Sequence, residues 1–219
     1  MKKIFAKGIC FNKLFYIFMI GSVFGAYYEE IACFISKMIN HQPLVWQYFR
    51  GLIYGPFSPV YGFGAVFLTI LLVRKKRSNI TTFFLAFLGG GFIEYITSFL
   101  QETFVGSISW DYSNKFLNIN GRTTIIYMLF WGLLGLVFVK YIYPFISNLI
   151  EKIPYKTGTI LTKILIVLMV FNMFISWTAL FRQTRRHDGQ PPITKIGEIY
   201  DKIYPDSFLK KIYSNMTSK

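Results

Sequence analysis

Residues 158–180, GTILTKILIVLMVFNMFISWTAL, decide the fold, because they form one apolar run long enough to cross a lipid bilayer. A helix rises about 1.5 Å per residue, so about 20 apolar residues span a hydrocarbon core about 30 Å thick. Four more apolar runs precede it, at residues 14–36, 57–73, 80–101 and 122–143. The sequence therefore predicts an all-α fold, a polytopic transmembrane helical bundle of about five spans.

The run at 57–73 is the weakest of the five, because its start is rich in helix breakers. They are Gly55, Pro56, Pro59, Gly62 and Gly64. Part of this segment is expected to be broken or re-entrant and buried among the other helices. A total of four or six spans is left open.

The composition supports a membrane protein and argues against nucleic-acid binding. Hydrophobic residues make up 53% of the chain, 16% is charged and the mean hydropathy is +0.43. The net charge of +14 is divided among short clusters between apolar runs, whereas a nucleic-acid binder presents a continuous basic face. Such clusters typically set orientation and contact anionic lipid headgroups.

The basic loops predict an orientation. The RKKR turn at residues 74–77 is the clearest marker of a cytoplasmic loop. In a five-span topology it shares its side with the N-terminus and with the loop after the fourth span, whose cations are Lys2, Lys3, Lys7, Lys13, Lys140, Lys152 and Lys156. We therefore expect a cytoplasmic N-terminus.

The C-terminal tail fits this orientation less well. We divide the chain into a transmembrane helical domain, residues 1–180, and a basic tail, residues 181–219, which five spans place outside. Its pattern of Ile199, Ile203, Phe208 and Ile212 with interleaved charges favours a short amphipathic helix broken at Pro205. Such a helix would lie against the membrane surface or the bundle. A solvated, structureless tail is the alternative.

Acidic residues within the predicted spans are candidates for function, because a buried carboxylate costs at least about 2.5 kcal/mol on insertion scales. Glu29 and Glu94 lie at similar depths in the same outer half of the membrane. Arg50 and Arg122, in the two outer loops, could pair with them or hold an anionic ligand group. The alternative is that these charges form ion pairs that only fix helix order. Glu30 is assigned a helper or lipid-edge role, about 100° around the helix from Glu29.

Small and polar residues inside the runs predict helix packing. Gly21 and Gly25, residues 89–91, and Gly132 with Gly135 have spacings that let backbones approach closely. Asn172 is predicted to be an interhelical hydrogen-bond partner.

Motifs for common enzymatic chemistry are absent from the sequence. It contains no GxxxxGK[ST] phosphate loop, no GxSxG elbow and no HExxH. Cys10 and Cys33 belong to no metal-binding pattern. We predict no cofactor, no metal and no ATP binding by this chain.

Several motifs in order carry a family resemblance. They are Gly21-Ser22-x-x-Gly25-x-x-Tyr28-Glu29, Arg50-Gly51-x-x-Tyr54-Gly55-Pro56-x-x-Pro59-x-Tyr61-Gly62-Phe63-Gly64, Glu94-Tyr95-x-Thr97-Ser98-x-x-x-Glu102, Trp110-Asp111-Tyr112-Ser113 and Asn118-x-Asn120-Gly121-Arg122. Over residues 14–145 the chain resembles the bacterial membrane proteins called putative ABC-transporter type IV. The tail, with Tyr204-Pro205-Asp206 and Tyr213-Ser-Asn215-Met216, is similar to the tails of such proteins.

The resemblance, together with the charged residues, gives one set of candidate substrate-binding residues. The set is Glu29, Arg50, Tyr54, Glu94, Glu102, Trp110, Asp111, Tyr112, Asn118, Asn120 and Arg122. The resemblance also implies a multi-pass protein of the bacterial cytoplasmic membrane. Membrane lipids are expected partners, ATP-driven transport would need a separate ATPase subunit, and a homo-oligomer is left open.

Three functions fit the sequence. The first is a transport-related, permease-like protein that binds a polar solute or lipid headgroup in an outer cavity. The second is a membrane-embedded enzyme acting on a lipid or lipid-linked substrate, with Glu94 or Asp111 as general base. The third is a non-catalytic membrane subunit.

Overall fold

The computed structural model describes residues 3–214 and 216–218 and consists mainly of helices. Met1, Lys2, Asn215 and Lys219 lie outside the described residues. The helices are α1 (Phe11–Ile39), α2 (Pro59–Leu68), α3 (Asn79–Val105), α4 (Ile125–Val137), α5 (Tyr143–Glu151), α6 (Tyr155–His187), α7 (Lys195–Ile203) and α8 (Asp206–Ile212). Two π-helical segments, Thr69–Val73 and Phe138–Ile142, prolong α2 and join α4 to α5. The predicted all-α bundle is confirmed.

Within the described part of the chain, four helices are long and apolar enough to cross a membrane. They are Phe11–Ile39, Asn79–Val105, Ile125–Glu151 and Tyr155–His187. The helix Pro59–Val73 has 10 α-helical and 5 π-helical residues, about 22 Å at 1.5 Å per residue, which is shorter than the hydrocarbon core. The predicted segment 57–73 is therefore a helix, but a short one. The breakers explain this, since Gly55 has a φ of +78° and Pro59 starts the helix.

Glycines bring the helices together in two hairpins. In the α1–α2 hairpin, a Cβ on Gly25 would overlap the ring of Tyr61. In the α3–α4 hairpin, a Cβ on Gly90 would overlap the side chain of Trp131, and one on Gly132 would meet Phe83 at 2.6 Å. Absence of a side chain is what lets the partner ring lie against the backbone. The predicted packing role of these glycines is confirmed.

The N-terminal residues, the RKKR turn at 74–77 and the turn before α6 lie at one end of the bundle, which we call the basic end. Phe5 packs against Gly158 at the start of α6. Lys13 is fully buried and donates hydrogen bonds to the Ser147 carbonyl (3.1 Å) and to Glu151 Oε1 (2.7 Å). Lys13 thus ties α1 to α5 through an ion pair.

The opposite end carries residues 40–58, residues 106–124 and the tail, and we call it the cavity end. Two short antiparallel strand pairs lie here, β1 (Ser107–Ile108) with β4 (Thr217–Ser218) and β2 (Asn118–Ile119) with β3 (Thr123–Thr124). The tail contributes β4, and Tyr213 forms a backbone bridge with Phe49. The tail therefore completes the cavity end.

The tail is folded, so the structureless alternative is wrong for its described residues. The predicted amphipathic segment is confirmed as α7 and α8, which are interrupted at Pro205. Leu209, Tyr213 and Leu180 belong to one apolar core with Ile53. α6 itself continues past residue 180 to His187.

Two arginines at the C-terminal end of α6 form ion pairs with the tail. Arg182 Nη2 lies 2.7 Å from Asp201 Oδ2, and Arg186 Nη1 lies 2.5 Å from Asp201 Oδ1. Arg186 also pairs with Asp206 at 2.5 Å. The lysines Lys195, Lys202, Lys210 and Lys211 stay exposed, and acidic partners contribute little to the positive-inside rule, so the basic tail still conflicts with an outer location.

Candidate functional site

A cavity of about 650 Å³ opens between the α1–α2 and α3–α4 hairpins at the cavity end. Its walls are mainly apolar and aromatic, from Phe63, Phe67, Ile93, Phe104, Trp131 and Trp177 among others. Volume and lining are typical of a small-molecule site, in which few polar groups fix the orientation of a ligand.

Glu29 of α1 supplies one polar group of the cavity. Tyr61 of α2 donates its phenolic hydrogen to Glu29 Oε1 over 2.8 Å. The packing of Tyr61 on Gly25, one helical turn before Glu29, brings its hydroxyl to this height. In the described residues no hydrogen bond reaches Glu29 Oε2, so this oxygen can accept one from a ligand.

Glu94 of α3 supplies the second carboxylate. Thr123 donates to its Oε2 over 2.6 Å, and Tyr112 donates to its Oε1 over a longer 3.5 Å. Burial raises the pKa of the Tyr112 phenol well above its usual value, and the charges of Glu94, Tyr127 and Glu29 raise it further. Tyr112 therefore stays a neutral donor and lies within electrostatic reach of both carboxylates.

Arg50 meets Glu30 rather than Glu29, and this shows that the lipid-edge role predicted for Glu30 is wrong. The side chain of Glu30 is 1% exposed, accepts from Arg50 Nε at 3.4 Å and accepts from Trp46 Nε1 at 3.1 Å. The Arg50 guanidinium also stacks 4.1 Å from the Tyr48 ring centroid. Glu30 is a buried structural carboxylate, because α1 turns this position toward residues 46–50 rather than toward lipid.

Arg122 pairs with Glu102, and neither lines the cavity. Arg122 Nη2 lies 2.5 Å from Glu102 Oε2, and Nη1 donates to Ser98 Oγ over 3.3 Å. The Arg122 carbonyl accepts a hydrogen bond from Trp110 Nε1 at 2.9 Å. This arrangement ties the loop 106–124 to α3 and positions Trp110 at the cavity wall.

The remaining predicted residues hold loops in place. Asp111 Oδ1 accepts from the Ser113 backbone N–H at 2.8 Å, and Asn118 Nδ2 donates to the Lys115 carbonyl at 2.9 Å. Asn120, at a φ of +50°, donates to the Tyr95 hydroxyl at 2.9 Å.

Tyr54 joins the loop 40–58 to α6 and to the tail. Its backbone N–H donates to Asn172 Oδ1 over 3.2 Å, and its carbonyl accepts from Asn172 Nδ2 over 2.7 Å. Its hydroxyl lies 2.9 Å from that of Tyr204. Asn172 is thus a hydrogen-bond partner, but the prediction of an interhelical bond is wrong, because its partners are the backbone of the loop 40–58 and Ser176 of its own helix.

The predicted set therefore divides into two groups. Five members line the cavity: Glu29, Arg50, Glu94, Trp110 and Tyr112. Six do not line it: Tyr54, Glu102, Asp111, Asn118, Asn120 and Arg122. Ligand binding by any of them stays a prediction.

Sequence reasoning missed several cavity residues, chiefly Tyr61, Gln101, Trp131 and Trp177. Tyr61 stands within a quoted motif, and its partner Gly25 was identified as a packing position, but neither signal gives a direction for the hydroxyl. Trp131 and Trp177 cannot be distinguished in the sequence from other apolar residues of a span. In residues 3–214 and 216–218 no group of three or more His, Cys, Asp or Glu could hold a metal ion.

Fold and cavity together define a polytopic helical membrane protein with a largely apolar, carboxylate-bearing cavity at one end. The family described as Putative ABC-transporter type IV matches residues 16–177, well over half of the sequence. The chain belongs to this family. No curated protein and no solved structure matches it.

Proposed function

We propose that this protein is a permease-like component of a transport system that binds a polar solute or a lipid headgroup in its cavity. In this proposal the cavity opens on the outer side of the bacterial cytoplasmic membrane. The N-terminus and the basic end then face the cytoplasm. Family membership supports a transport-related role, and the basic residues 74–77 support this orientation.

The observation that carries the proposal is the pair of carboxylates, Glu29 and Glu94, on the wall of one largely apolar cavity. Carboxylates in a membrane bundle are costly, and they commonly mark ligand or ion pathways. The arginines Arg50 and Arg122 already have carboxylate partners. The ligand is therefore expected to meet the carboxylates through donor groups and the aromatic walls through an apolar part.

An amphipathic ligand fits this lining better than a wholly hydrophilic one. A wholly hydrophilic solute would lose its hydrogen bonds with water on entering the cavity, and the apolar walls could not replace them. A lipid can place its headgroup by Glu29 and Tyr112 and its chains along the phenyl and indole rings. Of the two ligand classes, a polar solute and a lipid headgroup, we therefore favour the lipid headgroup.

Energy for transport would come from a separate ATPase subunit, because this sequence has no phosphate-binding loop. The exposed residues Arg74, Lys75 and Lys76 at the basic end offer a docking surface on the cytoplasmic side in the proposed orientation. Membrane lipids are the second partner, and a homo-oligomer is compatible with the large apolar surface.

The test is to fill the cavity without touching its charges. Thr97 lines the cavity, whereas Thr103, on the same helix, is exposed away from it. We expect Thr97→Trp to abolish lipid co-purification, measured by mass spectrometry, and flux in proteoliposomes. Thr103→Trp is the matched control and should behave as wild type.

Two results would count against the proposal. Unchanged lipid binding and flux in Thr97→Trp would show that the cavity is not the ligand site. Chemically altered lipids after incubation with the wild-type protein would instead support a lipid-modifying enzyme, because transport leaves the lipid unchanged.

A further inference from the structure

Helix α7 carries an apolar stripe that no described residue covers. Ile196, Ile199 and Ile203 are 67%, 51% and 56% exposed. At 100° per residue, these three positions fall within about 60° of the helix circumference. Tyr200, about 40° beyond Ile196, and Asp201, on the far side of the helix, contact α6. The isoleucine stripe is thus free while the helix itself is firmly held.

The contacts with α6 fix the height of α7 along the bundle. Exposed apolar side chains run along α6 from Ile160 to Phe181. These positions span about 32 Å at 1.5 Å per residue, close to the thickness of a hydrocarbon core. The Thr178 hydroxyl lies 2.9 Å from the Tyr200 hydroxyl, and Arg182 Nη2 lies 2.7 Å from Asp201. α7 is therefore held where the lipid-facing belt of α6 ends.

The charges around α7 and α8 suit an anionic surface. Four lysines of these helices are exposed: Lys195, Lys202, Lys210 and Lys211. Asp201 and Asp206 are occupied by arginines of α6. The surface presented by the two helices is consequently basic, next to an apolar stripe, which is the pattern of helices that lie in a membrane interface.

We propose that α7 lies in the interfacial layer of the bilayer at the cavity end, with its isoleucine stripe among the acyl chains and its lysines at anionic phospholipid headgroups. The helix thereby forms a lipid-contacting shelf beside the cavity and anchors the tail that completes that end. This inference is independent of what the cavity binds.

The test measures the depth of two labels on adjacent residues. In full-length protein with Cys10→Ser and Cys33→Ser, nitroxide labels are attached to Ile199→Cys or, as the matched control, to Glu198→Cys. Glu198 is exposed and lies about 100° around the helix from Ile199. Each protein is reconstituted in vesicles of phosphatidylcholine and phosphatidylglycerol, and collisions with oxygen and with an aqueous nickel chelate are compared.

We expect the label at 199 to collide mainly with oxygen, which concentrates in lipid, and the label at 198 to collide mainly with the nickel chelate. Nickel-dominated collisions at 199 would overturn the inference, because the stripe would then face water. Shielding of 199 from both reagents would also overturn it, because protein, such as a second copy, would then cover the stripe. Ile196→Cys repeats the measurement on the same stripe if Ile199→Cys folds poorly.

Lipid charge gives a second readout. In vesicles of phosphatidylcholine alone, the label at 199 should lie shallower than in vesicles with phosphatidylglycerol, since the lysines lose their anionic partners. An equal depth in both vesicles would overturn the role assigned to the lysines.

Discussion

Neighbouring glutamates on α1 should respond very differently to neutralisation. Glu30→Gln removes the carboxylate that faces the Arg50 guanidinium in a pair whose Glu30 side chain is 1% exposed. Breaking a buried ion pair on one side costs about 3–5 kcal/mol, since the other charge is left without compensation. We expect about 3 kcal/mol, the lower end of that range, because Arg50 is 20% exposed and keeps its stacking on Tyr48.

Glu29→Gln should cost far less stability. The glutamine oxygen can still accept the Tyr61 hydroxyl hydrogen, so only the charge-assisted part of that bond is lost. We expect about 1 kcal/mol for this loss. The same substitution should weaken ligand binding in the cavity, because the Glu29 side chain lines it.

Unfolding of purified protein in mixed micelles with increasing dodecyl sulfate, followed by tryptophan fluorescence, measures both free energies. The variant with both Glu30→Gln and Arg50→Gln completes a double-mutant cycle, and we expect a coupling energy of about 1–3 kcal/mol between these two residues. Equal losses for Glu29→Gln and Glu30→Gln, or a coupling energy near zero, would refute the assignment of the buried partner.

Three other predictions concern packing and the tail. Gly90→Ala should lose about 1–3 kcal/mol of unfolding free energy, because its Cβ would overlap an indole ring, whereas Gly64→Ala, whose nearest atom is 3.5 Å away, should stay near wild type in the same assay. Asn172→Ala should lose about 1–3 kcal/mol, since two backbone hydrogen bonds to the loop 40–58 go with it, and protease cleavage of that loop should rise. The hydrogen bond from Arg182 lowers the pKa of Asp201, so tail docking is fully stabilised above the usual aspartate pKa and weakens as pH falls through the lowered value. Proteolysis of the tail should therefore increase as the pH is lowered from 7 to 3, and in Asp201→Asn the tail should be sensitive to protease already at pH 7.

The number of spans could be predicted from the sequence only where an apolar run was long and free of helix breakers. The runs at 14–36, 80–101 and 158–180 are long and continuous and lie within helices able to cross the membrane, and the run at 122–143 does so from Ile125 onward. The sequence of segment 57–73 combines an apolar run with helix breakers. In the structure it is a short helix, and the residues that lead into it are not helical. Local signals predicted both features, but only the fold set where the helix begins.

The tail contains ion pairs that the sequence does not reveal. Arg182 and Arg186 are paired with Asp201 and Asp206. These partners lie 15–20 positions apart in the chain. No periodicity within one helix connects them, because the turn at residues 188–194 and the return of α7 along α6 bring Asp201 to the arginines.

What the sequence by itself determined is the solvent in which this protein folds: its apolar runs require lipid, and its glycines mark where helices approach. Tertiary structure alone decided which carboxylates face a cation and which face the cavity. Glu29 and Glu30 are adjacent in sequence but differ by about 100° around α1. The rotation of α1 is fixed by Gly25 packing on Tyr61, a contact across 36 positions in the chain that no local pattern encodes.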